Sequence, residues 1–139
     1  MSLAVPLAVI LMASAAAPAL ATEKADARLR EVLARAGGRE NVSAWVFFTD
    51  KGRHEMAKAA VPRDVVSERS IRRRMKVRAA ADLVDATDLP VEQSYVDRVA
   101  ALVGRVRQRS KWFNGVSVTA TPAQLADVAQ LPFVSRMEA

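Results

Sequence analysis

A chain of 139 residues has room for one domain and little more. It contains no cysteine, which excludes disulfides, thiol catalysis and thiolate metal sites. Its 21 Lys+Arg against 15 Asp+Glu leave a net charge of +6, which favours an acidic partner without pointing to nucleic acid.

All of that charge falls after Ala21, because the first 21 residues carry none. Leu7 to Ala17 is apolar but too short to span a bilayer, and Ala19-Leu20-Ala21 fits the small-x-small rule for signal cleavage. Residues 1–21 are therefore expected to be a signal peptide. The mature protein would start at Thr22, be secreted or periplasmic, and have no membrane contact after cleavage. The usual basic start of a signal peptide is missing, so a wrongly chosen start codon or an uncleaved anchor are the alternatives.

Residues 22–43 follow as a helical or linker segment. Thr22 to Arg35 suits a short amphipathic helix with Leu29, Val32 and Leu33 inward, ended by Gly37-Gly38. Its length and charge suit a loose linker equally well. A domain is expected over 44–139. Ala44-Trp45-Val46-Phe47-Phe48-Thr49 is its first strand, closed by the turn residues Asp50-Lys51-Gly52.

His54 to Arg63 has no clear period. Asp64 to Val77 predicts a helix with the apolar stripe Val65, Val66, Ile71 and Met75. Its other face carries Arg69, Arg72, Arg73, Arg74 and Lys76. That face is either a patch for phosphates or an acidic protein, or an ordinary solvated surface. No aromatic residues interleave for base stacking, so no nucleic-acid partner is expected. A cleavage site for a trypsin-like protease is a third reading of the same run.

Asp82 to Pro90 reads as a loop. Tyr95, Val96, Val99, Leu102 and Val103 then follow helical spacing, and Gly104 closes that helix. Arg105 to Arg109 predicts an edge strand guarded by its charges. Asn114-Gly115 marks a hairpin turn or a bulge. Val116, Val118 and Ala120 alternate with Ser117 and Thr119, the period-two signature of a half-buried strand. Thr121 before Pro122 opens a helix bearing Leu125, Val128 and Leu131. Pro132 stops it, and Phe133-Val134 starts a last strand.

The order predicts an α+β fold: a ferredoxin-like β-α-β-β-α-β sandwich. Its four-stranded antiparallel sheet would have two helices on one face, with the basic helix inserted after strand one.

Little in the chain suggests catalysis. His54 is the only histidine and stands beside a turn, so a Ser/His/Asp triad has no supporting pattern. There is no phosphate loop, paired-histidine motif or dinucleotide fingerprint. Trp45 and Trp112 suit a core or sheet face better than a cofactor platform. No catalytic residue, cofactor or metal is expected, and a binding or folding module is the reading by elimination.

Five stretches occur in a telling order: Trp45 to Gly52, Ser67 to Arg74, Asp85 to Val91, Ser110 to Val118 and Leu131 to Val134. Together they resemble the N-terminal prodomain of secreted bacterial subtilisin-like serine proteases, over roughly Ala44 to Arg136. The resemblance implies a ferredoxin-like module that acts as folding chaperone and transient inhibitor of a subtilisin-like protease, in cis or in trans. It implies a sheet face packed on two protease helices, with Ser117 and Thr119 at the interface. It also implies a tail, Met137, Glu138 and Ala139, laid in the substrate cleft as an extra strand. With the last strand ending near Arg136, that tail would reach about 10 Å, short for filling a cleft. Other readings are the N-terminal fragment of a secreted subtilisin-like peptidase precursor, or a basic exported domain binding an acidic polymer through Arg69 to Lys76.

Overall fold

The computed structural model describes residues 23–56 and 65–139, and the two strands with the clearest alternation lie side by side at the centre of one sheet. In chain order the elements are α1 (Ala27–Arg35), β1 (Val42–Phe48), α2 (Arg53–Met56) and α3 (Glu68–Arg74). They continue with α4 (Gln93–Ala100), β2 (Arg105–Ser110), β3 (Gly115–Ala120), α5 (Pro122–Ala129) and β4 (Val134–Glu138). The expected signal peptide and the expected start at Thr22 lie outside the described residues.

The four strands are arranged β2-β3-β1-β4, with every neighbouring pair antiparallel. β3 is inserted between β1 and β2, and β1 between β3 and β4. This is the split β-α-β arrangement of a ferredoxin-like fold, as the element order predicts. Register follows the apolar pattern: Val42 faces Ala120, Ala44 faces Val118, and Val46 faces Val116. These residues form one buried row, since a shift by one would turn all of them to the opposite face.

The helices cover that row. α4 buries Val96 and Val99, α5 buries Leu125, Val128 and Ala129, and all join the strand residues in a single cluster. α5 starts where its local chemistry dictates. Thr121 Oγ1 accepts from Gln124 N at 3.3 Å, and Gln124 Oε1 accepts from Thr121 N at 2.9 Å.

The N-terminal segment packs as a helix in that same core. Asp26 caps α1 by accepting from Leu29 N at 2.7 Å, and Leu29 is fully buried. Just before it, Ala25 pairs in parallel with Met137, and Asp26 N donates to Met137 O at 2.9 Å. The outer edge of β4 is thereby partly occupied, which blunts its tendency to pair with other chains.

The basic segment departs from expectation. Its helix runs only from Glu68 to Arg74 and buries none of its residues. Val66 is buried, but Met75, assigned to the same apolar stripe, is 63% exposed. Polar contacts hold this helix instead of an apolar stripe. Ser67 caps it, and Arg74 donates to the Asp88 carboxylate and to Leu83 O at 2.7 Å. The expected loop from Asp82 to Pro90 includes the end of a short 3-10 turn, Ala80–Asp82.

Candidate functional site

The face of the sheet opposite the helices follows from the same alternation, one residue out of phase. Ser43, Trp45 and Phe47 of β1 lie at its centre. Their partners on β3 are Thr119, Ser117 and Gly115, and on β4 Glu138 faces Trp45 while Arg136 faces Phe47. Ser117 and Thr119 are therefore on the helix-free face, as strand neighbours of Trp45 and Ser43. Ser117 is buried and Thr119 half-buried, because larger side chains stand around them.

Aromatic residues dominate the centre of this face. Trp45 meets Phe113 edge-on at 5.7 Å between ring centroids and lies 6.4 Å from Phe47. The Arg136 guanidinium stacks 3.9 Å from the Phe47 ring, and its Nε donates to Glu138 Oε1 at 2.7 Å. Trp45, Phe47, Phe113, Arg136 and Glu138 bound a hollow of about 300 Å3. Phe113 is 61% exposed. It is presented by the β2–β3 turn, where Asn114 adopts the left-handed region at φ 49°. The Asn114 amide holds that turn to the end of β1 and the turn after it, donating to Phe48 O at 3.3 Å and to Asp50 O at 2.7 Å.

At the other flank the β2 register slips between Val106 and Gln108. Arg107 reaches Ser43 Oγ at 3.1 Å across the intervening strand. A basic margin thus borders an aromatic centre on this face.

The remaining charged clusters lie at the loop end of the sheet and are internally satisfied. Glu92 accepts from Arg53 Nη2 at 3.0 Å, Arg53 N at 3.1 Å and Ser94 Oγ at 2.9 Å. The bond from the Arg53 guanidinium is the main reason its carboxyl falls from 4.5 to about 2. Asp88 accepts two bonds from Arg74 and one from Asp85 N at 3.0 Å. The Arg74 pairing carries Asp88 from 3.8 to about 2. The Lys51 ammonium, also buried, donates to Leu89 O at 2.9 Å and to Lys111 O. Carboxylates held this far below neutrality cannot exchange a proton near pH 7, so these groups tie loops together.

His54 lies half-buried in α2 and lines a groove with Trp112, away from any carboxylate hydrogen bond found among the described residues. Trp112 is 71% exposed, neither a core nor a sheet-face residue, contrary to the sequence reading. Trp45 does lie on the sheet face. Among the described residues no group of three His, Asp or Glu is placed to hold a metal ion.

The C-terminal residues need correction as well. β4 extends to Glu138 instead of ending near Arg136. Met137 is fully buried opposite Val46, and Glu138 pairs with Trp45, so only Ala139 lies beyond the sheet. The row that runs Val134, Met137 on the buried side is interrupted by the slip between Phe47 and Phe48, which hid the strand's full length.

The alternation of β3 assigns Ser117 and Thr119 to the polar face, where the register puts them, but does not bring Phe47, Phe113, Arg136 or Arg107 to the same face. The alternation of β1 does contain a signal for Phe47, since it shares a parity with Ser43 and Trp45. Nothing local marks Arg107 or Phe113.

A split β-α-β sandwich with one sheet face sealed by helices and the other presenting aromatic and basic groups is an α+β fold consistent with a ferredoxin-like propeptide. The chain belongs to the peptidase S8 propeptide domain family in its Bacteroidota form, whose profile matches residues 43–139. No curated protein and no solved structure matches the chain significantly. A propeptide domain is not itself catalytic, and membership implies association with a subtilisin-like protease domain. No helix among the described residues is long and apolar enough to cross a membrane.

Proposed function

We propose that the domain docks on a subtilisin-like protease through the helix-free face of its sheet, stabilises the folded protease and transiently inhibits it. The observation that carries this reading is the contrast between the two faces. One is closed by α1, α4 and α5, whereas the other leaves Trp45 half-buried and Phe113 exposed around an open hollow. Aromatic groups flanked by arginine are the composition of interface hot spots. Thr119, half-buried, sits between the aromatic centre and the Arg107 margin, where a partner would cover it, with the buried Ser117 beside it.

A module that binds only the folded protease favours that state by mass action, which is the basis of the chaperone role. Met137 is anchored in the core as part of β4 and is not free to enter a substrate cleft, so binding is carried by the helix-free sheet face. A signal peptide at residues 1–21 would deliver the domain to the compartment where such a protease works.

The test is a progress curve for a subtilisin-like peptidase cleaving a chromogenic peptide, with and without the domain. The expected result is an initial slow phase that disappears as the domain is degraded. Identical curves at domain concentrations well above the enzyme would refute the inhibitor role.

A further inference from the structure

The β2–β3 turn presents its two aromatic side chains to different places. Phe113 lies against Trp45 on the helix-free face, whereas the exposed Trp112 borders a separate groove of about 520 Å3. Pro90 and Val91, which lead into α4, give this groove an apolar wall, and His54 of α2 adds a further side. None of these residues lines the hollow around Trp45. A concavity of this size, mostly apolar with a few converging polar groups, has the make-up of a binding site.

The polar groups are cationic. Arg109, at the end of β2, donates to Gln93 Oε1, and the Gln93 amide in turn donates to Asp97 Oδ1 at 2.7 Å. Gln93 thereby orients the guanidinium without neutralising it. The Lys111 ammonium stands 5.5 Å from the centre of the Trp112 ring, within cation–π range. The buried Lys51 ammonium donates to Lys111 O and adds a third positive charge beside the groove. Among the described residues no carboxylate lines the groove, and neither Arg109 nor Lys111 forms a salt bridge. Asp88 and Glu92 are engaged by Arg74 and Arg53.

An aromatic plate, an apolar wall and two unneutralised cations select a ligand with matching parts. A small inorganic anion would use the cations and leave Trp112, Pro90 and Val91 uncovered. A purely apolar segment would cover those residues and strip water from the cations without replacing it. We propose that the groove is a second docking site, for an acidic peptide segment of a partner protein that carries an apolar side chain between carboxylates. The carboxylates accept from the Arg109 guanidinium and the Lys111 ammonium, and the apolar side chain lies against Trp112. The turn that carries Trp112 also carries Phe113, so a protein seated on the helix-free face has the groove within reach. Binding of the segment does not depend on that docking.

The test is fluorescence anisotropy of a labelled peptide, acetyl-Asp-Leu-Glu-Leu-Asp-amide, titrated with the full chain. Saturable binding is expected, about ten-fold or more tighter than for the counterpart with Asn and Gln in place of Asp and Glu. No saturable binding, or equal binding of the neutral counterpart, would overturn the proposal. Arg109→Gln and Lys111→Gln should each weaken binding about five-fold, and Trp112→Ala about ten-fold. The double variant Arg72→Gln, Arg73→Gln removes two charges that line no part of the groove, and should change binding by less than about two-fold. A loss as large as that of Arg109→Gln would reduce the effect to net charge and overturn the site. Ser117→Arg, Thr119→Arg should bind the peptide at least as well as the unaltered chain; weaker binding would overturn the independence of the two surfaces. On the unaltered chain, added peptide should shift the amide resonances of Val91, Gln93 and Arg109 to Trp112. Shifts confined to Ser43–Phe47 and Gly115–Thr119 would place the peptide on the sheet face and overturn the assignment.

Discussion

At the scale of single residues, Gly115 shows how closely the central strands approach. A Cβ built there would lie 2.3 Å from Val46 O, on the backbone of the neighbouring strand, which cannot swing aside as a side chain can. Gly115→Ala should therefore cost about 1–3 kcal/mol or more, read as a lower urea midpoint with an unchanged slope. The paired carboxylates set the acid response. Glu92 and Asp88 titrate near 2 in the folded chain, below their usual 4.5 and 3.8. A depressed folded value means that their stabilisation is complete above about pH 5 and is lost as pH falls toward 2. Stability should decline across that window, and Glu92→Gln should flatten the decline; a profile equally steep in the variant would contradict this. The motif residues Lys51, Arg74 and Asp88 are plain in the sequence, but their roles are not. Arg74 finds Asp88 fourteen residues away and Lys51 finds Leu89 O at a separation of 38, distances at which local pattern carries no information.

Elements whose ends are set by neighbouring residues were legible in advance, and those set by tertiary contacts were not. Thr121-Pro122 announces α5 because the cap, the proline and the Gln124 bond all lie within one turn. Alternation likewise gives β1 and β3, and with them the helix-free face. The spacing of Val65, Val66, Ile71 and Met75 imitates a stripe and predicts a longer helix than α3, whose actual anchor is the Arg74–Asp88 pair. α1 was ambiguous for the complementary reason: a short charged helix becomes stable only by docking, and Leu29 supplies the docking contact. Leu29→Ala should destabilise the whole domain by about 2–5 kcal/mol in a single cooperative transition. A change below about 0.5 kcal/mol, typical of a surface position, would mean that α1 is an appendage.

For the whole molecule, the two faces of the sheet divide the work. The buried face specifies the ferredoxin-like fold, and the helix-free face is the one proposed for the partner; membership of the S8 propeptide family implies association with a subtilisin-like protease domain. Arg107 at the margin of that face and the net charge of +6 favour association with an acidic surface. Association should consequently slow as salt is raised, while dissociation changes little. A dissociation rate that carried most of the salt effect would place the charges inside the contact instead of at its margin.

The face carrying Ser117 and Thr119 is the proposed docking surface. Its most direct measurement is equilibrium binding to a subtilisin-like protease whose nucleophilic serine has been replaced by alanine, so that the domain survives. The full chain should bind, and the double variant Ser117→Arg, Thr119→Arg should bind about 100-fold more weakly, since two uncompensated cations would be desolvated at the contact. Its far-UV spectrum should match that of the unaltered chain, because both side chains lie on the face the core does not use. No binding by the full chain, or equal binding by a correctly folded double variant, would contradict the account.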